Sequence, residues 1–272
     1  MLIIRAAHFG RLFCFKGVNM KLYDIMCINS EREVVRFLQE QNIFIKYDKC
    51  ISCNSIKIGY ISRNRVKCYK CKKEWNVKMG SAIESSKIEL KKFLLLIKLF
   101  QLGFTSEDTA KELIIDIKVV YQMFDLIRIR ISGLSENDLS QMNYLLKGED
   151  TTFGIKYSKG KIKISLMEDK EENPDALFRI KRTRIPNSYA SYDLTYNRVI
   201  NIIKPGKGIG YFSELDRFWR FAKEFLIKFR GTTYKGLYAL LKEIEFRYNQ
   251  KEGDIFLEIM QKMRVVNKGG VL

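Results

Sequence analysis

Lys49-Cys50-Ile51-Ser52-Cys53 and Lys67-Cys68-Tyr69-Lys70-Cys71 decide how the front half of the chain is read. Together they spell C-x2-C-x14-C-x2-C. A two-residue gap lets one tight turn aim two thiolates at one ion, and two such turns complete a tetrahedral sulfur shell around zinc. The intervening segment, Ile56 to Val66, reads as a short hairpin. The spacing therefore predicts a zinc ribbon over residues 46–80, with Cys50, Cys53, Cys68 and Cys71 as ligands. Four thiolates leave no open position for water, so this Zn2+ is structural. Lys67, Lys70, Lys72 and Lys73 stand beside the cysteines, lowering their pKa and offsetting the negative charge of the site. Two disulfides are the competing reading. They need an oxidising compartment, and residues 1–18 lack the apolar run and cleavage site of a secretion signal. The expected setting is intracellular and reducing, the nucleus if the host is eukaryotic. Cys14 and Cys27 have no partner spacing, and Met20 is an alternative start.

Working outward, residues 1–45 form an N-terminal helical segment, with Asn29-Ser30 capping a helix whose apolar face is Val34, Val35, Phe37 and Leu38. After the turn at Met79-Gly80-Ser81, residues 81–143 read as helical. Ser86 to Leu102 is rich in Leu, Ile and Phe. Phe104 to Leu113 is a short capped helix, Ile114-Ile115-Asp116 is a break, and Ile117 to Arg130 is a second helix with Val120, Phe124 and Ile127 on one side. This is the pattern of a helix-turn-helix, whose second helix lies in a DNA major groove. Lys118, Gln122, Arg128 and Arg130 are the side chains expected to face nucleic acid. An ordinary corner of a helical bundle shows the same pattern.

From residue 144 the texture changes. Tyr144 to Phe153, Gly154 to Tyr157 and Lys161 to Met167 read as strands, with a hairpin turn at Tyr157 to Lys161. Leu177 to Arg184 and Arg198 to Ile203 are further strand candidates. Pro205 to Gly210 is a flexible connection, and helices follow at Ser213 to Phe229 and Tyr234 to Asn249. The aromatic stripe Phe218, Trp219, Phe221, Phe225 and Phe229 is read as core. Residues 253–272 are expected to be a C-terminal tail. The fold class is α+β and multidomain.

The 272 residues carry 49 Lys+Arg against 31 Asp+Glu, a formal charge of +18. That excess favours a polyanionic partner. No apolar run reaches the ~18–20 residues needed to span a bilayer. A membrane surface also fits the charge, but neither terminus shows an amphipathic basic helix to anchor one, so DNA is the expected partner, with no membrane and no small-molecule substrate.

The order of these pieces resembles the Merlin-type and ISXO-like insertion-sequence DDE transposases. The ribbon's C-x-x-C-K-x-x-F/W ending is matched by Cys68 to Trp75 and the Gly-Thr/Ser turn by Gly80-Ser81. The basic terminal helix is matched by Glu243 to Asn249, with Glu245-Phe246-Arg247-Tyr248-Asn249 at its end. The resemblance covers roughly Met20 to Asn249. It implies a ribonuclease H-like domain over residues 144–252, here shortened, in which three carboxylates hold two Mg2+ ions for in-line displacement at phosphorus. It also implies paired DNA ends, and so a homo-oligomer on DNA. Carried across, the first carboxylate is Asp150 and the helix carboxylate is Asp216, with Glu214 as the other candidate. The second position falls on Asn187, an amide, with Asp193 the only nearby acid. Replacing an acid by an amide removes a full charge from between two cations; at an effective dielectric of ~20, unit charges ~4 Å apart interact by about 4 kcal/mol. The resemblance thus implies a DNA-binding protein related to enzymes that cut and join DNA, with impaired strand transfer. An active Mg2+-dependent transposase using Asp150, Asp193 and Asp216 is one alternative. A zinc-ribbon transcription or chromatin factor is the other; it gains if the region after Gly148 does not form a mixed sheet flanked by helices.

Overall fold

In the computed structural model, residues 20–133, 151–166, 188–193, 198–203, 209–228, 234–251 and 253–264 are described. The front half begins with α1 (Leu22–Met26) and α2 (Glu31–Glu40). Ser30 Oγ accepts from the amide of Glu33 at 3.3 Å and so caps α2, which buries Val34, Val35, Phe37 and Leu38. Strands β1 (Ile58–Ile61), β2 (Arg65–Cys68) and β3 (Glu74–Asn76) follow as an antiparallel sheet in that order. Next come α3 (Leu90–Gln101), α4 (Ser106–Leu113) and α5 (Ile117–Ser132).

Helix α3 is the hub. Leu90, Phe93, Leu94, Leu96, Ile97, Leu99 and Phe100 are all buried. A helix apolar on nearly every side must be covered all round, and α1, α2 and α4 pack against it. One core joins α2 and α3 to Val66, Cys68 and Trp75 of the small sheet and to Val77 just beyond it, so the ribbon's inner face is part of the main packing.

Helices α4 and α5 are separated by Ile114-Ile115-Asp116, the break read from the sequence. Thr105 Oγ1 accepts from the Asp108 amide and caps α4, and Asp116 Oδ1 accepts from the Lys118 amide and caps α5. Val120, Phe124 and Ile127 are buried as expected. What is established here is a helix, a three-residue break and a second helix.

The back half has a second sheet of β4 (Thr151–Ser158), β5 (Lys161–Leu166), β6 (Ser188–Asp193) and β7 (Arg198–Ile203), in the order β5-β4-β6-β7. Every pairing among these described strands is antiparallel. The mixed sheet implied by the resemblance is therefore not what they form. Helices α6 (Ile209–Lys228) and α7 (Tyr234–Asn249) pack on each other, α6 reaching β4 and α7 reaching β5 and α5. The α6 helix starts inside the segment expected to be a flexible connection.

Residues 253–264 are not a tail. Asp254 caps α8 (Ile255–Lys262) through the amides of Phe256 and Leu257. Phe256, Ile259, Met260 and Met263 then enter the core beside α3 and α5. Among the described residues no helix is long and apolar enough to cross a membrane.

Candidate metal centre

The two cysteine turns are built alike. In each, the first cysteine's amide donates to a carbonyl just beyond the second, Cys50 to Ser55 at 2.9 Å and Cys68 to Lys73 at 2.8 Å. In each, the residue after the second cysteine is left-handed, Asn54 with φ 54° and Lys72 with φ 64°. In each, an amide points at the first sulfur, Ser52 N–H at Cys50 Sγ (3.4 Å) and Cys71 N–H at Cys68 Sγ (3.5 Å). The β1–β2 hairpin brings the turns together, with Ile58 opposite Cys68 and Ile61 opposite Arg65.

The sulfurs converge accordingly. Cys50 and Cys71 are 3.6 Å apart, Cys53 and Cys68 are 3.7 Å apart, and all four sulfurs lie within 4.8 Å of one another. A zinc–sulfur bond of about 2.3 Å gives a tetrahedron with an S···S edge of about 3.8 Å. A disulfide needs about 2.05 Å, so neither pair is bonded and all four thiols are free. The donor number, donor type and spacing fit a metal ion such as zinc.

Local dipoles prepare the sulfurs unequally. The Cys71 amide, helped by that of Lys70, pulls the Cys68 thiol down to about 6 against its burial. Burial opposes the Cys50 thiolate, but the amides of Cys53 and Ser52 outweigh it and set that thiol below its ordinary value. The Lys73 amide favours the Cys71 thiolate, yet desolvation and the three neighbouring sulfurs overcome it and push the thiol up to about 12. Four sulfurs this close share few negative charges until a cation joins them, so metal binding and proton release go together.

The surface around the site is cationic. Residues 46–80 hold ten Lys and Arg against Asp48 and Glu74, a net of +8, or +6 once a tetrathiolate zinc is counted. Glu74 on β3 takes Lys67 at 2.9 Å and Arg65 at 3.1 Å, and the Lys67 bond holds its carboxyl below the usual range. Lys49, Lys57, Arg63, Lys70, Lys72 and Lys73 are exposed, and among the described residues no carboxylate pairs with them. Trp75, which ends the C-x-x-C-K-x-x-W segment, is buried edge-on against Tyr47 at 5.5 Å. Gly80 has φ +76°, which explains a glycine in the turn that follows.

The other expected site residues fare differently. Lys118 and Gln122 are exposed on α5 and Arg130 is half-buried. Arg128 does not face nucleic acid: its Nε donates to buried Glu243 at 2.9 Å and its guanidinium sits over the Phe124 ring. Asp150 and Asn187 lie outside the described residues. Asp193 is the last residue of β6 and Asp216 lies in the first half of α6. Glu214 is committed to Tyr248 Oη (2.7 Å), Lys251 (3.1 Å) and Arg217 (3.1 Å), cationic company that disfavours a divalent metal. Among the described residues the four cysteines are the one group of three or more metal-type side chains brought together. Of the aromatic stripe, Phe218 and Phe225 are buried, in keeping with core packing, and Phe229 lies outside the described residues.

Sequence reasoning missed the roles of the terminal motif. Asn249 pairs with both the amide and the carbonyl of Ile162, Glu245 accepts from the Ile164 amide, and Lys242 donates to the Ile164 carbonyl. Among the described strands β5 is at the edge of its sheet, and these three α7 side chains pair with its backbone there. Their spacing along one helix face was a visible signal, but the strand they pair with was not. Comparison of the chain with family models, curated proteins and solved structures finds no match to any of them.

Proposed function

We propose that this protein binds DNA through a structural-zinc ribbon and the α4–α5 pair, on a transposase-like body whose strand-transfer centre is impaired. The observation that carries this reading is the convergence of four sulfurs in a segment, residues 46–80, that keeps a net charge of +6 with a tetrathiolate zinc counted. A tetrathiolate site fixes the ribbon's shape, so unpaired lysines on it meet phosphates without the backbone having to order on binding, each side chain still losing its own rotamer freedom. Lys118 and Gln122 are exposed near the start of α5, which supports reading that helix as the one that would enter a major groove.

The impaired centre follows from Asn187 at the second acidic position, with Asp150, Asp193 and Asp216 as the remaining Mg2+ ligands of the resemblance. A zinc-ribbon transcription or chromatin factor is the second reading. It is favoured by one observation, the antiparallel pairing of every described strand in the back sheet.

Two measurements test these readings. Affinity for a DNA duplex should fall steeply with salt, the log–log slope growing by about 0.9 for each phosphate neutralised. A flat salt response would remove the nucleic-acid assignment. Cleavage of a DNA end with Mg2+ or Mn2+, comparing the natural chain with Asn187→Asp, separates the bodies. Cleavage gained by the acid marks a decayed transposase, cleavage by the natural chain marks an active one, and none from either favours the factor.

A further inference from the structure

The outer face of the ribbon carries an aromatic ring that neither the metal centre nor the core uses. Tyr69 directly follows Cys68, and its amide donates to the carbonyl of Lys57 at 2.8 Å. Its ring lies against Gly59 of edge strand β1. A Cβ at Gly59 would fall 2.8 Å from Tyr69 Oη and 2.9 Å from Cε2, so a larger residue there would push the ring's phenol edge aside. The residue is nevertheless 51% exposed, and among the described residues its phenol has no hydrogen-bond partner. Cations frame it. Lys67, paired with Glu74, stands opposite Gly59 across the β1–β2 ladder, and Lys57, Lys70, Lys72 and Lys73 are exposed nearby in the chain.

We propose that Tyr69 is a stacking platform for an unpaired nucleobase, so that the ribbon takes single-stranded DNA in preference to duplex. This inference rests on the DNA-binding reading and deepens it by naming the strand state that the ribbon recognises. In a duplex the base faces are covered by their neighbours, and lysines then meet phosphates alone. A half-exposed ring whose phenol edge rests at Gly59, with lysines nearby in the chain, offers a π surface that a base out of its stack covers while its phosphates meet the lysines. A ring that serves only to cover an edge glycine has no need of that surround.

The test uses the full-length, zinc-loaded chain with a fluorescent oligodeoxynucleotide, presented as a single strand and as a blunt duplex at one salt concentration. The natural chain should prefer the single strand. Tyr69→Leu keeps an apolar cover over Gly59 and loses the π face. It should weaken single-strand binding roughly 5- to 150-fold and leave duplex binding within about twofold, while Tyr69→Trp retains the preference. A single strand carrying 5-iododeoxyuridine should photocross-link the natural chain at Tyr69, a readout that needs no variant to fold. Equal losses on both DNAs, no loss on either, or a cross-link elsewhere in the chain would overturn the stacking role. In those cases salt-sensitive duplex binding would leave the DNA-binding reading standing, whereas binding to neither DNA would remove both.

Discussion

Ile114 is a β-branched residue in the left-handed region, with φ 50° and ψ 61°, at the end of α4. That conformation normally goes to glycine or asparagine, because a β-branched side chain crowds the backbone there. Its side chain recovers little from packing, since it is 85% exposed. Ile114→Gly or Ile114→Asn should therefore raise stability by about 1 kcal/mol, read as a higher urea midpoint at unchanged slope; a lower midpoint would mean that the side chain is held by contacts the exposure conceals. Glu214 makes a second argument at this scale. Hydrogen bonds from Tyr248 and then Lys251 hold its carboxyl below the usual range. A depressed folded-state pKa gives stability that is present above the unfolded value of about 4.3 and is lost as pH falls through the folded value. The α6–α7 contact should thus loosen on acidification below about pH 4. Glu214→Gln should flatten that part of the stability–pH curve, and an unchanged curve would place the acid sensitivity elsewhere.

At the scale of elements, the ribbon depends on its cysteine turns, whose donor set fits a metal ion such as zinc. Its strands are three or four residues long, too short to persist alone. Structural zinc supplies binding free energy that becomes folding free energy. The purified chain should hold one zinc, and Cys68→Ser or a strong chelator should release it and unfold β1–β3. Because Val66, Trp75 and Val77 share a core with α2 and α3, the loss should also lower the melting temperature of the front helices. Metal analysis with circular dichroism checks both, and a chain without zinc that melts unchanged in chelator would refute the site. The cysteine turns, the Ile114–Asp116 break, β7 and α7 were legible because each depends on local signals: spacing, caps, alternation and a helical period. Strand β6, Ser-Tyr-Ala-Ser-Tyr-Asp, was not, because it has little apolar alternation and owes its form to pairing with β4 and β7 on either side. Helix α8 was missed although Asp254 and the Phe256, Ile259, Met260 face were in view; eight residues carry too weak a period without the core that receives them. Arg128 looked like a surface cation for the same reason, since its partner Glu243 lies 115 residues away.

At the scale of the molecule, that pair decides whether front and back unfold together. Glu243 is fully buried on α7 and takes Arg128 of α5 at 2.9 Å and Arg247 at 2.7 Å. Arg247 also donates to the carbonyls of Phe100 and Gln101 at the end of α3, and its guanidinium lies over Phe100 and Phe225. One carboxylate therefore links the helix hub of the front half to the helices carrying the back sheet. Removing one member of a buried ion group leaves the others uncompensated and costs about 3–5 kcal/mol. Glu243→Gln preserves the shape and removes the charge, so the lost coupling should exceed any lost packing. The two tryptophans make it measurable, Trp75 in the ribbon and Trp219 on α6. In Trp75→Phe and Trp219→Phe backgrounds the remaining fluorophore reports one half at a time. With Glu243 present both should give the same urea midpoint. With Glu243→Gln the Trp219 midpoint should fall first and the Trp75 midpoint should lag behind it, because the ribbon keeps its cysteine cluster and its share of the α3 core. Separate midpoints in the natural chain, or a common shift in the variant, would show that the halves are joined by packing rather than by this charge.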